Sequence, residues 1–192
     1  MNKSTTLNRG FLFKIQKAAS SLEAFTGTLL NVFSKGAGQY KLRKIKSTDD
    51  EKVKELIQKI LLERGGLGIE SLYYDSELIS LTEHYQKEKN RFNVLTLHGE
   101  IVGTVGIGST AKSDTCEIKK LYLHKDCRSK GLGKVLFTQA LKQAFLLGYQ
   151  SCVVSIELRN EAFHSFLIKN GFKELLHTSN NPYEIQLHRS LN

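Results

Sequence analysis

Apolar and polar residues alternate with two different periods between positions 40 and 188, which separates predicted helices from predicted strands. Apolar residues at helical spacing predict helices over 48–64, 77–89, 131–147 and 160–169. Thr48 and Glu51 form a predicted capping box at the first helix, and Gly148 and Gly171 follow the ends of the last two. Shorter β-prone runs predict strands over 40–46, 92–97, 101–107, 115–123, 151–157, 172–176 and 183–188.

These elements follow one another in the order β-α-α-β-β-β-α-β-α-β-β. Strands and helices therefore mix without strict alternation. That order predicts an α/β (α+β) fold with a mixed, mostly antiparallel sheet of six to seven strands and helices on both faces.

Residues 1–38 differ in composition from residues 39–192, and the sequence predicts two parts. Apolar residues from Phe11 to Leu29 recur at alternating steps of four and three, which predicts a basic amphipathic helix. Ser34 to Gly38 then resembles a linker. Three interpretations stay open: an extra helix or poorly ordered arm, a membrane-surface or partner-binding helix through residues 11–33, and a mitochondrial-type transit peptide.

Composition narrows the class of protein. The chain has 192 residues, of which 40% are hydrophobic and 24% charged, and its apolar runs are shorter than the roughly 20 residues that span a bilayer. Three cysteines without CxxC spacing favour a reducing compartment, so we expect a cytoplasmic protein without a zinc site. The net charge is +9, and outside the basic N-terminal segment it is scattered along the chain. A highly anionic small-molecule ligand accounts for part of this charge as well as DNA does, and no nucleic-acid partner is expected.

The richest chemistry lies between residues 116 and 134, which predict a half-buried strand, a turn and a glycine loop that opens a helix. In the pattern Arg128-x-x-Gly131-x-Gly133, the glycines let backbone N–H groups approach an anion, and the helix presents its positive dipole end there. Arg128, Lys130 and Lys134 add positive charge. A pyrophosphate fits this loop, although an ordinary glycine-containing helix start is the alternative.

The element order, with this loop at the end of the fourth strand, resembles the GCN5-related N-acetyltransferase (GNAT) superfamily. The strand from Glu117 to Leu123, Asn160 after the next strand, and Asn170-Gly171-Phe172 add to the resemblance. It covers residues 39–188, which defines a predicted N-acetyltransferase domain over 39–192. The resemblance implies a split between the fourth and fifth strands that holds acetyl-CoA as co-substrate, with no metal.

The resemblance also assigns cofactor-binding residues. It implies that the pantetheine arm pairs with the backbone of Leu121, Tyr122 and Leu123. It implies that the pyrophosphate rests on the N–H groups of Arg128, Ser129, Lys130, Gly131, Leu132, Gly133 and Lys134. Asn160 is either a helix cap or a contact for the pantetheine arm.

The implied activity is that of an N-acetyltransferase, which moves an acetyl group from acetyl-CoA to an amine of a small molecule or protein by direct attack. A lysine-like amine has a pKa near 10.4, so a general base helps the attack. Glu117 is the predicted base, with a surface carboxylate paired to Lys119 or Lys120 as the alternative, and Glu157 is a second candidate.

One position departs from the family pattern. Many members carry a tyrosine four residues before the glycine of the Gly-Phe pair, as general acid to the leaving thiolate, and this chain has Leu167 there. Water, Tyr122 or Tyr183 are the alternatives for that step, and an unprotonated thiolate is another.

Two other functions stay open, the first because of this missing tyrosine and the second because of the basic N-terminal segment. One is a catalytically weak acyl-CoA-binding regulatory module, and the other is a membrane- or nucleic-acid-associated protein acting through the basic N-terminal segment. The sequence also leaves open a homodimer. Residues predicted near the acceptor pocket are Tyr73, Tyr74, Asp75 and Tyr85.

Overall fold

The computed structural model describes residues 40–65, 75–158, 160–175 and 183–191. The predicted N-terminal extension, its boundary at residue 38, the loop at Tyr73 and Tyr74, and the turn near Pro182 lie outside the described residues. The strands are β1 (Tyr40–Lys44), β2 (Arg91–Leu97), β3 (Glu100–Ser109), β4 (Thr115–Leu123), β5 (Ser151–Glu157), β6 (Lys173–Leu175) and β7 (Glu184–Ser190). The helices are α1 (Asp50–Glu63), α2 (Ser76–Ile79), α3 (Leu81–Gln86), α4 (Leu132–Leu146) and α5 (Glu161–Lys169), with 3-10 turns at Ser47–Asp49 and Lys125–Cys127.

The described strands form one seven-stranded sheet in the order β1-β2-β3-β4-β5-β7-β6. Every neighbouring pair is antiparallel except β4 and β5, which are parallel. The prediction of a mixed, mostly antiparallel sheet is confirmed.

Helices cover both faces of this sheet, so the described residues form two hydrophobic clusters. Side chains alternate along β2, and Val94 joins one cluster whereas Leu95 joins the other. The cluster beneath α4 and α5 is the larger, and the other lies beneath α1, α2 and α3. The backbone of β3 approaches α4 closely at Gly103, where a Cβ would lie 2.9 Å from Leu136 Cδ1.

The predicted helix over 77–89 is instead two short helices that break at Ser80. The backbone at Ser80 leaves the helical region, and its hydroxyl donates to Glu83 at 3.2 Å. Asp50 on α1 accepts from both the amide and the hydroxyl of Thr82. The Asp50 carboxylate, 32 residues away in the sequence, therefore caps α3. A second helix begins there in place of one continuous helix over 77–89.

The predicted capping box of Thr48 and Glu51 is wrong. Helix α1 begins at Asp50, and its N-cap residue Asp49 makes no side-chain bond to it. The Asp49 carboxylate instead accepts from the Lys46 amide at 2.7 Å and from Arg43 of β1 at 2.6 Å. The acid at this helix start therefore anchors the first strand.

Cys116, Cys127 and Cys152 are buried free thiols. Within the ranges described above, no helix is long and apolar enough to cross a membrane. The same ranges contain no group of three or more histidine, cysteine, aspartate or glutamate side chains placed to hold a metal ion.

Candidate active site

Strands β4 and β5 pair over three positions only, Thr115 with Ser151, Cys116 with Cys152, and Glu117 with Val153. Beyond Glu117, β4 continues along β3 and β5 continues along β7, so the two strands separate. The split predicted between the fourth and fifth strands is confirmed, and it begins at Glu117.

A β-bulge in β4 lies inside the split. Gly106 of β3 pairs with Lys119, but Thr104 pairs with Tyr122, so Lys120 and one further residue of β4 oppose a single residue of β3. Lys120 has a φ of 54°, the left-handed region that non-glycine residues rarely adopt. The hydroxyl of Thr104 donates to the Lys120 carbonyl at 2.7 Å. A bulge bends its strand, which explains why β4 turns away from β5.

The glycine loop has the geometry of an anion cradle. Gly131 takes a φ of 78° at the N-cap of α4, which glycine adopts without strain. The amide of Val135 makes the first helical bond, to the Gly131 carbonyl at 3.1 Å. From the described parts of the chain, no acceptor reaches the N–H groups of residues 129–134. Apart from the backbone of its own helix and its chain neighbours, a Cβ on Gly133 would meet nothing within 4 Å, so there is room for a ligand beside these free donors, which suit a diphosphate.

The charged residues of the loop occupy different positions around it. Arg128 donates to the Leu123 carbonyl at 3.0 Å and lies 3.4 Å from Glu63 Oε2, so it ties the loop to the end of β4 and to α1. Lys130 and Lys134 are exposed. Leu132 is buried, and only its backbone can contact a ligand.

The predicted pantetheine-pairing segment runs along the separated part of β4. The side chains of Leu121 and Leu123 pack toward the α4 cluster, whereas Tyr122 packs toward the opposite one. Burial raises the pKa of Tyr122, with opposing influence from Arg64, so its hydroxyl keeps its proton at neutral pH.

Glu117 lies where the two strands part, and its two carboxylate oxygens have different partners. Oε1 accepts from the Ser155 hydroxyl of β5 at 3.1 Å, and Oε2 lies 3.2 Å from Lys119 Nζ. The predicted base is therefore also the ion-pair partner that the sequence offered as the alternative. These two contacts fix the carboxylate from both sides of the split.

Lys119 belongs to a network that the sequence did not predict. Its Nζ donates to Glu77 Oε1 of α2 at 2.8 Å, and Glu77 Oε2 accepts from the buried hydroxyl of Tyr85 at 2.9 Å. Lys120 pairs with Asp75. Of the residues predicted near the acceptor pocket, Asp75 thus contacts a lysine of β4, and Tyr85 contacts Glu77. The sequence does carry a signal for the pairing of Glu117 with Lys119, because a two-residue spacing places both side chains on one face of β4.

The network perturbs the acid–base properties of its members. Burial alone raises the pKa of Glu77, but the hydrogen bond and charge of Lys119 outweigh it and hold that pKa below its usual value. Burial alone lowers the pKa of Lys119, but Glu77 and Glu117 raise it above its usual value. Both groups therefore stay charged near neutral pH.

The remaining predicted residues lie close by. Asn160 caps α5 by accepting from the Phe163 amide at 3.3 Å, and Glu157 is exposed at the end of β5. Leu167 is fully buried beneath the sheet, so neither its chemistry nor its position suits a proton donor. Tyr183 is 76% exposed.

The split sheet and the glycine loop define the class of protein, because they agree with the N-acetyltransferase fold that the sequence resembles. The family model described as the acetyltransferase (GNAT) family matches residues 55–172, more than half of the chain. The chain therefore belongs to the GNAT acetyltransferase family.

Solved structures share the fold at low sequence identity. An acetyltransferase from Streptococcus agalactiae superposes with a TM-score of 0.71 at 16% identity, over 79% of this chain and 98% of that chain. The PaiA N-acetyltransferase from Thermoplasma acidophilum, solved in complex with coenzyme A, gives a TM-score of 0.67 at 20% identity, over 79% and 98%.

Among curated proteins, the chain is similar to N-acetylaspartate synthetase from Xenopus tropicalis, with 26% identity over 101 residues. That match covers 52% of this chain and 37% of the relative, so it spans little more than a third of the relative's length.

Proposed function

We propose that this protein is an acetyl-CoA-dependent N-acetyltransferase that acetylates an amine of a small molecule or protein by direct attack. One observation carries the proposal: the split between β4 and β5 has the free N–H groups of residues 129–134 at one end and the fixed carboxylate of Glu117 at the other.

The loop supplies the binding half of this site. The N–H groups of residues 129–134 donate to the pyrophosphate, and Lys130 and Lys134 add positive charge. Arg128 holds the loop against Leu123. The backbone of residues 121–123 and the Asn160 side chain bind the pantetheine arm.

The acceptor half is built around Glu117. Bound acetyl-CoA supplies a thioester, whose acetyl group passes to the amine while CoA leaves as its thiol or thiolate. Most of an amine with a pKa near 10.4 is protonated at neutral pH, so a base must take a proton before or during attack. Glu117 accepts that proton, directly or through water, while Ser155 and Lys119 hold its carboxylate.

The similarity to N-acetylaspartate synthetase supports including aspartate among the acceptors to be tested. Other amino acids and polyamines complete a panel that spans anionic, neutral and cationic amines. The site itself offers both signs of charge, since Lys119 and Lys120 alternate with Glu77 and Asp75.

The test measures free thiol released from acetyl-CoA across this panel. We expect amine-dependent thiol release, with a loss of about 10²-fold or more in kcat for Glu117→Gln and an unchanged acetyl-CoA affinity. Failure of the full-length protein to bind acetyl-CoA would overturn the proposal.

The burial of Leu167 favours a second candidate, a catalytically weak acyl-CoA-binding regulatory module. No tyrosine protonates the thiolate from that position. Tight acetyl-CoA binding with no thiol release above background across the whole panel would favour this candidate over the enzyme.

A further inference from the structure

We propose that Lys119, anchored by Glu77, is a positioning residue that fixes the carboxylate of Glu117 for proton transfer. This inference rests on the proposed function, and it assigns a role to two residues that have no place in the cofactor loop. The feature that carries it is a continuous line of contacts from the hydrophobic interior to Glu117.

The line begins at Tyr85, whose side chain is 1% exposed. Its ring packs edge-on against Phe92 with a centroid distance of 4.9 Å, and its hydroxyl donates to Glu77 Oε2 at 2.9 Å. Gly106 makes room for this hydroxyl, because a Cβ there would lie 2.8 Å from it. Glu77 therefore sits on a rigid support.

Glu77 in turn holds the side chain of Lys119. Its Oε1 accepts from Lys119 Nζ at 2.8 Å, and its Oε2 lies 3.7 Å from the ammonium of Lys120. The Lys119 side chain is 26% exposed, and its ammonium lies between Glu77 and Glu117. Because one end of this bridge is held by Glu77, the other end restrains Glu117 Oε2.

The backbone fixes the same geometry. Lys119 pairs with Gly106 at the last regular position before the bulge, and Glu117 is two residues earlier on the same face of β4. Across the split, the Ser155 hydroxyl holds Glu117 Oε1 at 3.1 Å, and the Gln186 amide donates to that hydroxyl at 3.4 Å. Glu117 is thus restrained by both separated strands.

The energetics favour positioning over simple stabilisation. Desolvation offsets much of the attraction in a half-buried ion pair, so the pair contributes little net stability, although removing one partner leaves the other charge unpaired and destabilises the fold. A misplaced catalytic group, by contrast, costs on the order of 10²-fold in rate for a displacement of about 1 Å. Loss of Lys119 should therefore lower kcat by more than the loss of stability alone accounts for.

The test is a double-mutant cycle between Lys119→Met and Glu117→Gln, using the amine that gives the fastest thiol release in the panel. We expect Lys119→Met to lower kcat by about 10- to 100-fold while the KM for acetyl-CoA changes less than about twofold. In the Glu117→Gln background the same change should lower kcat by less than about twofold, because the group being positioned is absent. Lys119→Arg should recover most of the loss, and Glu77→Gln should show the same dependence on Glu117.

The melting temperature measures the contact between Lys119 and Glu117 without acetyl-CoA. The loss in melting temperature caused by Lys119→Met should be smaller in the Glu117→Gln background than in the wild type. Arg43→Met is the matched control, since it breaks the ion pair with Asp49 at the far edge of the sheet. It should lower the melting temperature and leave kcat unchanged.

Equal effects of Lys119→Met on kcat in the two backgrounds would overturn the inference and assign the lysine a role independent of Glu117. An active protein in which Glu117→Gln does not lower kcat would also overturn it, while the proposed acetyltransferase function would stand. Absence of both acetyl-CoA binding and thiol release would overturn the proposed function itself.

Discussion

Gly133 lies in the first turn of α4, where a Cβ would meet no protein atom within 4 Å. Packing within the protein therefore does not require glycine there, and the proposed binding of acetyl-CoA by the neighbouring N–H groups gives a reason for it. We expect Gly133→Glu to raise the Kd for acetyl-CoA at least about tenfold, which corresponds to about 1.4 kcal/mol, because the new carboxylate fills and repels the phosphate position. Calorimetric titration measures this, and Gly133→Ala should show a smaller effect. An unchanged Kd in Gly133→Glu would contradict the assignment of this loop.

Asn160 has one observed role, as the cap of α5, and one proposed role, as a contact for the pantetheine arm, and one substitution separates the two. Its side-chain oxygen caps α5, and within the described residues its amide nitrogen has no hydrogen-bond partner. Aspartate caps helices as well as asparagine does but cannot donate. We expect Asn160→Asp to keep the free energy of unfolding and to raise the Kd for acetyl-CoA about two- to tenfold, the value of one hydrogen bond. Urea unfolding and acetyl-CoA titration measure the two quantities. An unchanged Kd would mean that Asn160 caps α5 and does not contact acetyl-CoA.

At the scale of elements, β3 contacts helices on both faces of the sheet and pairs with β4, the strand that carries Glu117. Its glycines admit Leu136 of α4 on one face and Tyr85 of α3 on the other. It also pairs with β4 on both sides of the bulge at Lys120. A change in β3 should therefore affect packing on both faces of the sheet beside the split.

Gly106→Ala tests this dependence. The added methyl group would lie 2.8 Å from the Tyr85 hydroxyl and 3.1 Å from Phe92 Cδ2, both buried. Overpacking of this kind costs about 1–3 kcal/mol, so we expect urea unfolding to show a loss of that size. Gly133→Ala is the control, because its methyl group enters open space. Equal stability of the two variants would show that Tyr85 moves freely and does not anchor Glu77.

At the scale of the whole molecule, the sequence predicted the features that depend on residues close together along the chain. The glycine loop, the sheet class and most strands follow from local patterns, and the split follows from the family resemblance. The bulge at Lys120 carries no sequence signal, because a lysine with positive φ looks like any other strand residue. The network of Glu77 with Lys119 joins positions 42 residues apart, and only the packing of α2 on the sheet brings them together. The break at Ser80 in the helix predicted over 77–89 likewise lacks a local signal, because Asp50, which caps α3 at Thr82, is 32 residues away in the sequence.

The stability of the fold should also depend on pH through the ion pairs of Asp49 and Glu77. The hydrogen bond from Arg43 holds the pKa of Asp49 below its usual value, and that of Glu77 is lowered by Lys119 against the opposing effect of burial. A carboxyl group with a lowered folded pKa stabilises the fold fully above its unfolded pKa, about 3.9 for aspartate and 4.3 for glutamate, and loses that contribution as pH falls through the folded value. We expect the melting temperature to fall as pH decreases below about 4.3. Asp49→Asn combined with Glu77→Gln should lower the melting temperature at pH 7 and flatten the acid slope, whereas an unchanged slope would mean that other carboxyl groups set the acid sensitivity.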